Sequence, residues 1–80
     1  MDEHYNPNPY IIAHFIHKKS GFEWFIISGT ELKYDYQLFG VASVIVTELG
    51  MISLNELLSI GAELDKDWEC KKLHDIFPNL

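Results

Sequence analysis

Arginine is absent from this 80-residue chain, and cysteine occurs once. Arginine is the side chain that forks onto phosphates and guanine edges. Its absence, with twelve acidic residues against six lysines and a formal charge of −6, argues against direct nucleic-acid binding. The single Cys70 excludes an internal disulfide framework and points to a reducing, cytoplasmic setting. The longest apolar run, 38–46, is too short to cross a bilayer, so no membrane partner is expected. Met1-Asp2-Glu3-His4 carries the wrong charge for a secretory signal. No phosphate-cradling glycine loop, nucleophile elbow or dinucleotide fingerprint occurs, so neither an enzyme nor a cofactor is expected.

What the chain does have is a core: 48% of its residues are apolar. A chain of this size buries about 60% of its unfolded surface, enough for one domain, 1–80, with 1–9 as an extended, proline-broken lead-in. Residues 10–17 and 22–28 read as two strands joined by the Lys18-Lys19-Ser20-Gly21 turn. Residues 29–36 read as a polar loop and 37–46 as a third strand, in which Gly40 marks a bulge or a close approach. Glu48-Leu49-Gly50 reads as a turn, followed by a short extended piece at Met51-Ile52.

The clearest local signal follows it. Ser53 with Glu56 three residues later forms a capping box, Leu54, Leu57, Leu58 and Ile60 make an apolar helix face, and Gly61 stands at the end. Residues 63–70 fit a last strand, or a helix from Lys66, and Pro78 stops whatever helix precedes it. The expected fold is α+β: a small antiparallel sheet of three to five strands, the capped helix packed across it, and a short C-terminal helix. Trp24 with Ile26, and Phe25 with Ile27, make the second strand apolar on both faces. Either both helices cover the sheet, or another copy or a partner closes one face.

Several residue groups have chemistry worth weighing. His14 and His17 would share a helix face as metal ligands do, but on a strand they fall on opposite faces, and the surrounding isoleucines favour a strand. His4 and His74 lie near the termini. Asp65 and Asp67 suit a divalent cation if they share a strand face, against the commoner reading of a solvated edge. Cys70 and His74 would be neighbours on a helix, as a thiolate–imidazole pair needs, yet no oxyanion loop accompanies them. No metal site is expected.

Taken in order, Phe22-Glu23-Trp24-Phe25, Leu38-Phe39-Gly40, Glu48-Leu49-Gly50 with Ser53-Leu54-Asn55-Glu56-Leu57, and Asp65-Lys66-Asp67 resemble family 2958 of the domains of unknown function. The resemblance covers residues 11–73. Ser28, Met51 and Lys66 depart from the family pattern, which usually has a glutamate, an aromatic and an arginine there. The family implies no activity. It does imply a home on plasmids, phages and conjugative elements, beside anti-restriction genes.

Charge and resemblance together set the functional expectation. It is a non-enzymatic interaction protein, in its sharpest form an acidic inhibitor that occludes the nucleic-acid surface of a CRISPR or restriction complex. The partner is a protein with a basic surface, met by Glu23, Glu31, Asp35 and Glu48. The alternatives are a homodimer without a host target and a small metal-dependent enzyme built on Asp65, Asp67 and nearby histidines.

Overall fold

A computed structural model describes residues 7–80; the expectations for residues 1–6, His4 included, lie outside them. The main sheet is antiparallel throughout and has five strands: β2 (Ala13–His17), β3 (Phe22–Glu31), β4 (Tyr36–Ser43), β5 (Thr47–Ser53) and β6 (Glu63–Leu64), in the order β5-β4-β3-β2-β6. A second, two-stranded ribbon pairs β1 (Tyr10–Ile11) with β7 (Lys71–Lys72). The helices are α1 (Leu54–Ser59) and α2 (Leu73–Ile76). The α+β expectation therefore holds in outline, with more sheet and less helix than the sequence suggests.

Alternation along β3 organises everything else. Trp24 and Ile26 point to one face, where Phe15, Leu38, Leu57 and Ala62 join them in a buried cluster. Phe25 points to the other, where it packs with Ile11, Val41 and Leu73, flanked by Trp68, Ile76 and Phe77. Both faces thus receive cover from within the chain: α1 on the first and the C-terminal segment on the second. Of the anticipated helix face, Leu57 is buried and Leu54 packs at the margin, while Leu58 and Ile60 remain exposed.

The α1 ends follow their local chemistry. Ser53 Oγ accepts the Glu56 N–H at 3.3 Å, as a cap should. The Glu56 carboxylate makes no return bond; instead Asp35 accepts the Ser53 hydroxyl and the Asn55 N–H. At the other end Gly61 adopts φ 85°, and the Gly61 and Ala62 N–H groups reach back to the Leu58 and Leu57 carbonyls. That is a Schellman closure, which glycine enters without a Cβ penalty.

Four segments differ from expectation. β3 runs on to Glu31, leaving only 32–35 as a loop where a longer one was anticipated. The β-branched run Val44-Ile45-Val46 is a turn, closed by Val44 N–H to the Val46 carbonyl at 3.3 Å, rather than the end of a strand. The anticipated turn at 48–50 lies inside β5, since Gly50 pairs with Gly40 and lets the ladder continue through it. In the C-terminal region, strand structure is confined to β6 and β7, and no helix starts at Lys66.

Gly40 does mark a close approach. A Cβ there would stand 2.0 Å from the Phe25 carbonyl oxygen, while the bulge falls opposite, in β3 between Ile26 and Ser28. Gly50, its neighbour across the ladder, faces open space. Gly40→Ala is therefore expected to cost about 2–3 kcal/mol by forcing β3 and β4 apart. Gly50→Ala should be neutral or stabilise by up to about 1 kcal/mol. Equal costs in chemical denaturation would contradict the close approach at Gly40.

Candidate partner-binding edge

Strand β2 alternates, so His14 turns inward toward Phe25 and His17 does not share its face. His14 is 6% exposed, stacked on Phe25 at 4.7 Å between ring centroids and tilted against Trp68 at 4.9 Å. Its Nδ1 lies 2.9 Å from an Asp65 oxygen and its Nε2 2.9 Å from a Glu23 oxygen. Ionised carboxylates only accept, and a neutral imidazole has one donor, so both bonds form together only on a doubly protonated ring. The cluster is internally satisfied and ties the 65–68 turn to the sheet, helped by the Trp68 indole N–H, which donates to the Ile11 carbonyl at 2.9 Å.

The other sequence candidates find separate partners. His17 Nδ1 meets the Ser20 hydroxyl at 2.6 Å. Asp65 accepts the Asp67 N–H at 3.0 Å in a turn, so the two carboxylates do not line a strand face. Cys70 is exposed, and the His74 ring bonds the Leu80 carbonyl, so the two form no thiolate–imidazole pair. Among the described residues, no group of three His, Cys, Asp or Glu side chains is placed to hold a metal. None of the described helices is long and apolar enough to cross a membrane.

Of the four carboxylates expected to meet a partner, two have duties inside the fold. Glu23 holds His14. Asp35 closes the 32–35 turn and caps α1, and its carboxyl is held below the usual range by the Ser53 hydroxyl first and then by the Asn55 N–H. Glu31 and Glu48 are exposed, and their carboxylates bond to no other described residue. The four do not form one patch. Glu23 and Glu48 stand at the β4–β5 turn end, opposite Ser43 and Ala42, whereas Glu31, opposite Tyr36, and Asp35 stand at the other, about 25 Å along the strand.

The β5 edge is different in kind. It is seven residues long, carries no proline or lysine, and has no neighbour on its outer side among the described residues. The opposite edge is the two-residue β6, the short form that resists further pairing. Leu49 and Met51 pair with Val41 and Phe39 and so share the face of the second cluster, yet Met51 is 61% exposed and Leu49 48%. Ile45, in the adjoining turn, is 90% exposed. On the α1 side of the same edge runs a groove of about 330 Å³, floored by Trp24, Ala42, Ile52 and Leu57 and rimmed by Glu56.

Charge singles out this side too. Residues 34–65 contain no lysine, arginine or histidine but include Asp35, Glu48, Glu56, Glu63 and Asp65. Strands β4 and β5 and helix α1 therefore carry no cation. Sequence reasoning passed over Leu49 and Met51 because 48–50 read as a turn that cut Leu49 off from the extended piece at Met51-Ile52; the available signal was their i, i+2 spacing within a cation-free stretch.

No protein-family model, curated protein or solved structure matches the chain.

Two outcomes are expected. His14→Phe keeps the ring stack and loses both polar bonds, so it should cost about 1–2 kcal/mol, and His14→Ala about 3 kcal/mol because packing is lost as well. An unchanged urea midpoint in His14→Phe would mean that the bonds contribute nothing, and equal losses in the two variants that the ring packing does not. Asp65, like Asp35, is held below the ordinary 3.8, chiefly by its bond to His14. A depressed carboxyl stabilises the fold above its unfolded pKa, and that stability is lost as pH falls further. The wild-type midpoint should therefore drop below about pH 4 more steeply than that of the Asp35→Asn, Asp65→Asn double variant. Superimposable acid limbs would contradict this.

Proposed function

We propose that this protein is a non-enzymatic interaction protein that engages a basic partner through its cation-free side, where β5, the β4–β5 turn and α1 come together. The observation that carries this reading is the coincidence of two features: a strand with exposed apolar side chains whose outer side has no partner among the described residues, and its place in a run, residues 34–65, that holds five carboxylates and no cationic side chain. An acidic surface by itself serves solubility, but an apolar edge within it does the opposite and calls for a partner. The field steers a basic surface toward the edge, and burial of Leu49 and Met51 holds it there.

The ordered resemblance to a mobile-element family supports a more specific form. The partner is then a host defence complex of the CRISPR or restriction type, and docking covers the basic surface on which it holds nucleic acid. Glu48 and Glu56, beside the edge, are better placed to contact it than Glu23 and Asp35, which are committed within the fold. A homodimer is the second reading. It rests on the same edge, because both sheet faces are covered by the chain itself.

The test is competition. Added to purified restriction endonucleases and CRISPR effector complexes, the protein should displace DNA from its target and form a complex whose association slows with salt. Glu48→Lys with Glu56→Lys should slow association several-fold at low salt and flatten that dependence, with little change in dissociation. Association that is identical for the reversed and native proteins would contradict the electrostatic reading. Retained DNA binding across every nuclease tested would remove the inhibitor reading.

A further inference from the structure

We infer that the β5 edge accepts an extended partner segment as an added strand, one whose residues alternate between apolar side chains and lysine or arginine. This rests on the interaction reading above and specifies its geometry. The pleat sends successive β5 side chains to opposite faces. On one face Leu49 and Met51 are exposed beside Val41, and on the other Glu48 precedes the α1 groove rimmed by Glu56. A strand laid along this edge must obey the same period of two. Its residues on the first face meet Leu49 and Met51, and its residues on the second meet carboxylates across an apolar floor.

A lysine fits that second face in both parts. Its aliphatic stem covers Trp24, Ala42 and Ile52, and its ammonium reaches Glu56 or Glu48. Gly50 leaves the floor open, since nothing lies within 4 Å of where its Cβ would be. Main-chain hydrogen bonds along the ladder supply affinity without regard to sequence, and the alternation supplies selectivity. Charge complementarity favours this occupant over a second copy, which would bring the same uncompensated Glu48 and Glu56 to the same edge.

The probes are three synthetic octapeptides: valine and lysine alternating, the same residues in two blocks, and the alternating peptide with a central proline, which removes a ladder donor. Each is titrated into the isotope-labelled full chain at low salt and followed by amide chemical shifts. The alternating peptide should bind with shifts concentrated in Thr47–Ser53, and the block and proline peptides about tenfold more weakly. Leu49→Asp with Met51→Asp, both at exposed positions, should weaken binding by a similar factor, whereas Leu64→Asp on the opposite edge should not. Equal binding of all three peptides would overturn strand addition while leaving the basic-partner reading standing. No binding by any of them would overturn both. A peptide-free dimer in sedimentation that Leu49→Asp with Met51→Asp abolishes would make the second copy the occupant and overturn the inference.

Discussion

The constraint on which the molecule depends is that strand β3 is apolar on both faces within a chain too short to spend a layer on each. Trp24 and Ile26 need cover on one side and Phe25 on the other. A short capped helix suffices for the first. The second is covered by residues 65–77, an irregular stretch at 65–70 followed only by the two-residue β7 and the four-residue α2, and such a segment gains little from its own backbone bonding. It has to be fastened by side chains.

His14 and Trp68 provide the fastening. His14 bonds forward across the β2–β3 hairpin to Glu23 and far along the chain to Asp65, while Trp68 packs on Phe25 and bonds back to Ile11. The Leu73 N–H adds a bond to the Pro9 carbonyl, drawing the two ends of the described chain together over the second cluster. A buried histidine among aromatic rings suggests chemistry at first sight, yet each ring nitrogen has a structural partner. With both faces closed in this way, the unsatisfied surface is moved to an edge. Strand β5 has no partner on its outer side among the described residues. It and the elements that flank it, β4 and α1, carry the carboxylates of Glu48 and Glu56 and no cationic side chain.

Features set by neighbouring residues were legible in the sequence. Ser53 and Gly61 delimit α1, Lys18-Lys19-Ser20-Gly21 turns the first hairpin, and Gly40 allows two strands to approach closely. Each depends on chemistry within a few residues. The β4–β5 hairpin was misread because Val44-Ile45-Val46 has strand-forming side chains but lies where the ladder must reverse, and Glu48-Leu49-Gly50 has turn-like residues but lies where pairing with β4 holds it extended. Tertiary pairing overrode local preference in both. The partners of His14 were out of reach for a different reason: Asp65 is 51 residues away, and nothing in the spacing of a lone histidine reveals a distant acceptor. Of the carboxylates named from the sequence, Glu48 sits at the edge, but the two apolar residues that distinguish that edge, Leu49 and Met51, went unmarked for want of the right strand assignment.

Residue-resolved amide hydrogen exchange on the free protein, repeated over a range of concentrations, tests the central claim most directly. If β5 is an open edge, every second amide between Thr47 and Ser53 should exchange without protection, those bonded to β4 should exchange slowly, and neither set should change with concentration. Protection of the outer amides that grows with concentration would contradict the account, because it would mean that the edge is already closed by another copy of the chain.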